Sequence, residues 1–418
     1  MRTKALRILA SDGPLVMCRR AVRKLRRGVS PVSAPALPVC AADVVRADWR
    51  SRKANDHVRA RAGDGPLQVN WVIPPIGRGS GGHHTILRFV RALEASGHRC
   101  NLFVYDGRGI QSAAETRAIL RRHFGATGAT VSTDLSSAGH CDALIATAWQ
   151  TAYPVFNLEG PAHRFYFVQD YEPAFYPVGT ESILAENSYR LGLHGITAGT
   201  WLKERLSSGF GMRCEHFDFG IDRSRYRRVG DQPRDAVVFY ARPVTPRRGF
   251  ELGVLTLALF AEQHPEYEIH TVGSDLDGVR LPFPAVAHGV LDADELNALY
   301  NRCAAALVIS LTNMSLLPLE LLAAGCTPVV NDGPNNRMVS DNPFILYGDA
   351  APHALAGLMA EAVTRPGLAA HAERAAASVR DSGWDQATAG FERILLRTLA
   401  EPSRHGAEPV EAQLRLSA

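Results

Sequence analysis

The stretch from Cys303 to Asp332, CAAALVISLTNMSLLPLELLAAGCTPVVND, constrains the fold more than any other. Ala304 to Ser310 is an apolar run without polar alternation, which suits a strand buried on both faces. Thr312 to Ser315 is polar and loop-like. Pro318 fits a first helical turn, Leu319, Leu321, Leu322 and Ala323 are good helix formers, and Gly325 stands where a helix wants its C′ residue. Thr327 to Asn331 starts the next strand. A buried strand, a loop, a helix and a second strand in about thirty residues are the parts of a parallel sheet with crossover helices. Glu320 is out of place among leucines; a carboxylate there needs a partner or hydrogen-bond donors.

The same grammar recurs along the chain. Leu67 to Pro74 reads as a strand, followed by Gly77-Arg78-Gly79-Ser80-Gly81-Gly82 and a helix from about His83 to Ser96, with Ile86, Phe89, Val90 and Leu93 on one face. Arg99–Tyr105, Asp142–Thr147, Arg164–Val168 and Gly195–Thr197 are further strand-like runs, with helical runs between them. Ile221 to Arg234 is polar and aperiodic and reads as a boundary. Ala236–Ala241 and Glu268–Val272 restart the strand pattern, and Trp384 to Leu399 is a terminal amphipathic helix. The chain has 418 residues, too many for a single core. The fold class expected is α/β, with two Rossmann-like domains facing a central cleft. The divisions expected are a basic, partly disordered leader at 1–65, domains at 66–230 and 231–400, and a disordered tail at 401–418.

Charge separates the leader from the rest. Residues 1–65 hold fifteen Lys/Arg against five Asp, a net of +10 that leaves −6 for the remainder of a chain of net +4. Within it, MCRRAVRKLRRG at 17–28 offers a narrow apolar stripe among arginines, so residues 1–30 read either as peripheral contact with an anionic membrane or as a disordered basic arm. Pro31, Pro35 and Pro38 give 31–48 the look of a linker. No run of 18 apolar residues and no clean secretory signal occur, so a cytoplasmic chain is expected. Seven scattered cysteines without a C-x-x-C pair point to reduced thiols and away from structural zinc.

Four groups of residues carry chemistry. Gly77-x-Gly79-x-x-Gly82 spells the dinucleotide fingerprint, but Pro74 and Pro75 stretch the loop beyond its tight turn; glycines there let backbone N–H groups approach a phosphate or a sugar. His83 and His84 begin the helix, where the macrodipole favours their neutral forms. Val168-Gln169-Asp170-Tyr171-Glu172-Pro173 follows a strand and sets two carboxylates among Tyr166, Tyr171, Phe175 and Tyr176, a composition suited to a sugar site and equally to a surface loop. Arg242-Pro243-Val244-Thr245-Pro246-Arg247-Arg248-Gly249 follows the first strand of the second half, where arginine forks suit a diphosphate. Asp275-Leu276-Asp277 spells D-x-D and is read as loop.

Together, VNWVIPPIGRGSGGHHTI, FVQDYEPAFYP, FYARPVTPRRGFELG and SLTNMSLLPLELLAAGCTPVV resemble the retaining GT-B glycosyltransferases of family 4, with the closest likeness to the WsaF-type bacterial rhamnosyltransferases. The resemblance implies a nucleotide-sugar donor, dTDP-rhamnose, held mainly by the second domain, with no metal and no separate cofactor. Glu320 matches the second Glu of the family's E-x7-E motif and would accept the ribose hydroxyls. Arg242 and Arg247 or Arg248 would grip the diphosphate. Gly81, Gly82, Gly273, Ser274, Asn313, Met314 and Ser315 would complete the donor site, and His288 would lie by the base. The acceptor, a glycan or lipid-linked glycan rather than a nucleic acid, would enter against His84, Asp170, Glu172 and Tyr176, with Asp170 meeting the reacting sugar. One departure stands out: the first Glu of the motif falls on Thr312. That residue keeps a second reading open, a non-catalytic glycan-assembly module; an NAD-dependent sugar-nucleotide enzyme rests on the glycine loop alone.

Overall fold

The computed structural model describes residues 37–401 apart from 57, 62, 64, 78 and 110. The segment read as a membrane-facing helix at 1–30 and the tail beyond 401 therefore lie outside the described residues, as does Arg78 of the glycine loop.

The strands are β1 (Gln68–Ile73), β2 (Arg99–Val104), β3 (Thr130–Ser132), β4 (Ala143–Ala146), β5 (His163–Val168), β6 (His194–Ala198), β7 (Cys214–Phe217), β8 (Ala236–Tyr240), β9 (Glu268–Val272), β10 (Val286–Ala287), β11 (Cys303–Val308), β12 (Thr327–Asn331) and β13 (Leu346–Gly348). The helices are α1 (Ala41–Arg46), α2 (Gly81–Ala95), α3 (Ala113–His123), α4 (Trp149–Asn157), α5 (Thr180–Ser188), α6 (Thr200–Phe210), α7 (Phe250–Gln263), α8 (Ala293–Arg302), α9 (Leu317–Ala323), α10 (Pro334–Arg337), α11 (Pro352–Thr364), α12 (Leu368–Ser378) and α13 (Trp384–Ala400). The first sheet runs β3-β2-β1-β4-β5-β6-β7 and the second β10-β9-β8-β11-β12-β13, with parallel pairing throughout. Each sheet is doubly wound: β1 lies between β2 and β4, and β8 between β9 and β11. The chain reverses direction at those strands, and ligands of such sheets bind outside the carboxyl ends there. The apolar runs behave as their composition requires, since every residue of β5 and β11 is buried.

Two segments pack differently from their sequence reading. The strap 39–55, expected within a leader and linker, is ordered against the first sheet. Val39, Ala47 and Ala54 are buried, the Cys40 amide donates to the Tyr105 hydroxyl at 2.8 Å, and that hydroxyl donates to Asp43 Oδ2 at 2.7 Å. Apolar anchors and satisfied backbone groups override the proline-rich look of the region. Helix α13, counted by position with the second half, returns to the first. Phe391 is fully buried, stacked with Trp71 (5.6 Å between centroids) and tilted on Phe89 (4.8 Å).

The chain thus crosses between halves twice, and the crossings touch. The Ile221 amide donates to Ser382 O at 2.7 Å. A Cβ at Gly220 would lie 2.6 Å from the Trp384 nitrogen, so only glycine permits this approach.

Candidate active site

The first half contributes the start of α2 and the end of β5. Ser80 caps α2, accepting from the His83 amide at 3.5 Å, and its hydroxyl meets His83 Nδ1 at 2.8 Å. His83 is buried beneath this turn with Nε2 3.3 Å from Pro74 O, and burial pushes its pKa down to about 4. It is a neutral fastening for the glycine loop. Gly81 and Gly82 are exposed at the helix start, and a Cβ at 82 would only touch the Gln169 side chain, at 3.4 Å. His84 lies against Phe124 (4.4 Å between ring centroids), and burial followed by Arg91, Arg88 and Arg225 disfavours its cationic form.

At the end of β5 the two carboxylates part company. Glu172 is fully buried and accepts from the Trp149 amide at 2.7 Å and from the Tyr166 hydroxyl at 2.8 Å. Desolvation pushes its pKa up to about 7. It fastens the start of α4 and does not face the cleft as an acceptor-binding residue. Tyr176 sits beside it, its hydroxyl accepting from Trp149 Nε1 at 3.0 Å and Gln150 Nε2 at 3.3 Å.

Asp170 instead reaches the second half. Its Oδ1 accepts from the Asn313 amide at 2.9 Å and the Tyr171 amide at 2.8 Å; Oδ2 accepts from the Thr312 hydroxyl at 3.1 Å and Arg247 Nε at 3.3 Å. Four donors fill the capacity of a carboxylate. Asp170 is a contact between the halves here, and a substrate hydroxyl would reach it only by displacing one of these donors. At position 312, where the resemblance leads one to expect a carboxylate, the hydroxyl instead meets one from the opposite half.

The second half holds the cations. Arg247 spends its charge on Asp170 and lies 3.9 Å from the Phe175 ring centroid. Arg248 is half-buried and donates to Ser310 Oγ at 2.7 Å, which in turn donates to Asn313 O at 2.9 Å. Burial lowers its pKa, with Asp170 opposing and Arg247 and Arg242 reinforcing the shift. Arg242 donates to the Tyr240 hydroxyl at 3.2 Å, and its buried Nε has no partner among the described residues. Gly273 borders this position with φ +105°; its amide donates to Gly289 O at 2.7 Å, and a Cβ there would lie 2.7 Å from the Tyr240 ring. Ser274 follows, half-buried.

Glu320 sits in the first turn of α9, half-buried, with no hydrogen-bond donor among the described residues. Desolvation pushes its pKa up to about 7, Arg88 pulls it down and Asp222 raises it. Near it, loop 312–315 has two of its amides committed within the protein. The Asn313 amide is committed to Asp170 and the Met314 amide to Asn335 O at 3.2 Å. The Asn313 side chain donates to Gln169 O (3.1 Å) and Ala198 O (3.0 Å) of the first half, leaving its buried Oδ1 without a partner among the described residues. Met314 is a core residue, and Ser315 is half-buried with its hydroxyl accepting from the Leu317 amide at 3.4 Å.

Sequence reading missed the clamp that sets this loop. Asn331 Oδ1 accepts from the Ser310 amide at 2.7 Å, while Asn331, Asn335 and Asn336 all donate to Ser310 O. Three asparagines in NDGPNN after a strand were the available signal. Arg88, on α2 opposite Glu320, was also missed, since nothing in a helical sequence says which arginine faces the cleft. The D-x-D residues form a turn in which the Asp277 amide donates to Asp275 Oδ1 at 3.1 Å.

Two doubly wound parallel sheets joined by paired crossings, with cations and a carboxylate at the carboxyl ends of the second, make up the GT-B architecture. Within it, the family model for the WsaF C-terminal domain matches residues 235–360 and that for the WsaF N-terminal domain residues 132–198. The O-antigen biosynthesis protein RfbC of Myxococcus xanthus is 34% identical over 350 residues, covering 80% of this chain. The chain spans only 27% of that relative's length. Among solved structures, HepE of Anabaena in complex with UDP-glucose is similar with a TM-score of 0.59 at 15% identity, over 80% of this chain and 99% of its own. A glycosyltransferase from Rickettsia africae matches with a TM-score of 0.58 at 13% identity, over 81% of this chain and 100% of its own. These two likenesses concern the fold.

Proposed function

We propose that this chain transfers a sugar from a nucleoside-diphosphate donor to a growing cell-surface glycan, as a retaining GT-B enzyme of family 4. The observation that carries this reading is the Arg242–Arg248 pair. Two cations lie close enough to perturb one another, the Asp170 carboxylate beside them is already filled by four donors, and a buried guanidinium nitrogen has no partner among the described residues. A diphosphate satisfies that arrangement. As the C1–O bond breaks, its electron pair goes to the leaving diphosphate, and the two guanidinium groups stabilise the charge without a divalent ion. Glu320 accepts the ribose hydroxyls, and Gly273 with Ser274 lets the nucleotide approach the backbone. The acceptor hydroxyl passes its proton to an oxygen of the leaving diphosphate as it bonds to C1 on the face the donor occupied, which retains configuration.

The donor in this reading is dTDP-rhamnose; the WsaF matches and the O-antigen biosynthesis relative support a surface-glycan product. The acceptor is a lipid-linked glycan at the inner face of a membrane, approached by a cytoplasmic chain whose residues 1–30 touch anionic headgroups. Among the described residues no helix is long and apolar enough to cross a membrane. The saturated Asp170 and Thr312 favour one other reading, a nucleotide-binding assembly module without turnover.

Thermal shift with dTDP, UDP, GDP and NAD tests the donor site, and a donor screen with anomer-resolved product analysis in EDTA tests transfer, retention and metal independence. Stabilisation by NAD alone defeats the reading. Nucleotide binding without turnover of any donor leaves the module.

A further inference from the structure

The chain beyond residue 65 carries a net charge of −6, yet the first crossing sets Arg223, Arg225, Arg227 and Arg228 within six residues. Two buried asparagines of α8 pin this segment. Asn297 Oδ1 accepts from the Arg227 amide at 2.9 Å, Asn301 Oδ1 accepts from the Val229 amide at 2.7 Å, and Asn301 Nδ2 donates to Arg227 O at 2.9 Å. The backbone is fixed where these arginines leave it, so a ligand held by them costs little ordering of the main chain.

Arg223, Arg227 and Arg228 line a cavity of about 380 Å³ together with Tyr226 and with Arg380, which lies just past α12. Glu373 is the only acid among the described residues that line it. Arg228 pairs with Asp231, but its buried Nε has no partner among the described residues. The Arg227 guanidinium meets the Ser224 carbonyl. Arg223, Arg227 and Arg380 have no carboxylate partner among the described residues, and the Tyr226 hydroxyl has no hydrogen-bond partner there. Four guanidinium groups and a phenol offer many donors against a single carboxylate, which suits a ligand with several charged acceptor oxygens. The cavity is larger than a bare phosphate needs and leaves room for the group it is esterified to. None of the residues read as the donor site lines it. Arg380 leads into the second crossing, where Ser382 O takes the Ile221 amide at 2.7 Å. One ligand here touches both crossings.

We propose that this cavity is an anion site for a phosphoryl group, free or as the head group of a phospholipid, bridging the two crossings between the halves.

The test uses the full chain at constant ionic strength. Inorganic phosphate and glycerol 1-phosphate probe the free anion by thermal shift. Vesicles of phosphatidylcholine with and without phosphatidylglycerol probe the head group by sedimentation. Arg223 and Arg380 are exposed and unpaired among the described residues, so Arg223→Gln/Arg380→Gln keeps the fold. It should weaken binding of whichever probe acts by about tenfold or more, since a charge-assisted contact carries that much. Arg242→Ala, outside the cavity, should keep the binding. A phosphate response that the double variant loses assigns a soluble phosphoryl ligand; a vesicle response that it loses, without a phosphate response, assigns the head group. No response of the wild type to either probe, an equal response in the double variant, or a response lost in Arg242→Ala and kept in the double variant overturns the proposal.

Discussion

Asp170→Ala is the perturbation whose consequence follows most directly from geometry. The carboxylate serves four donors, two of them buried in the second half: the Asn313 amide and the Thr312 hydroxyl. A buried donor left without an acceptor costs about 1–3 kcal/mol. Arg247 is 26% exposed and rehydrates, so its ion pair adds only about 0–1 kcal/mol. The variant does not pay this by unfolding, because water reaches both donors as soon as the halves separate. The cost therefore appears as opening: about 3 kcal/mol, roughly a hundredfold in the closed-to-open ratio. Hydrogen exchange should quicken at the Asn313 amide and across 310–313, and X-ray scattering should report a larger radius of gyration. The melting temperature of the separate cores should change little. Unchanged exchange at Asn313 together with an unchanged radius would refute the role of Asp170 as the clasp between halves.

Three further outcomes are expected. Arg242→Ala should weaken nucleoside-diphosphate binding by about 10- to 100-fold with the melting temperature kept, since a charge-assisted contact carries about 1.5–3 kcal/mol; equal affinity by calorimetry would count against the diphosphate site. Gly273→Val should lower both stability and donor affinity, by about 1–3 kcal/mol in stability, because φ +105° strains any side chain and the Cβ meets the Tyr240 ring; a denaturant midpoint equal to wild type would contradict this. Glu320→Gln should stabilise the unliganded chain at pH 8 while weakening nucleotide binding. A folded pKa raised from 4.5 to about 7 gives stability that is present below pH 4.5 and is lost as pH rises through 7, so the neutral amide recovers roughly 2 kcal/mol above that range. Denaturant curves at pH 5 and pH 8 read the difference, and equal midpoints for both proteins at pH 8 would show that Glu320 carries no such cost.

Much of the fold was legible because buried parallel strands leave uninterrupted apolar runs, as in AVVFYA and CAAALV. The loops at their carboxyl ends were legible for the same reason: glycines, arginines and an isolated carboxylate break such runs where a ligand site would be. The strap at 39–55 was not legible, because its anchors are three small or branched residues and one hydrogen-bonded tyrosine just past a strand distant in sequence. Helix α13 announced an apolar stripe without saying which sheet would cover it. Glu172 looked like a partner for Asp170 at a spacing of two, yet only the Trp149 amide and the Tyr166 hydroxyl explain why it turns inward. Sequence spacing ranks neighbours along the chain, whereas burial of a carboxylate is decided by donors from other elements.

The two carboxylates of the expected E-x7-E pattern have separate fates here, and this bears on how recognition is organised. The second is matched by Glu320 within the second half. At the first position stands Thr312, whose hydroxyl donates to a carboxylate arriving from the first half at 3.1 Å. A glutamate at 312 would place a second negative charge against Asp170, so the two residues are alternatives: Thr312 is what permits Asp170 to dock. A carboxylate fixed within one half is available in every arrangement of the cleft. One delivered across the cleft is present only when the halves meet, together with Arg247, Gln169 and Asn313, which are joined to the same contact. With Thr at 312 and Asp at 170, the charge belongs to the first domain and its presence at this point is conditional on closure. A Thr312→Glu, Asp170→Thr exchange reverses the arrangement, and it should restore a carboxylate at the site while abolishing the clasp measured by exchange at Asn313. If the exchanged protein keeps wild-type protection at Asn313, the contact is held by the other residues and the coupling argued from Thr312 is wrong.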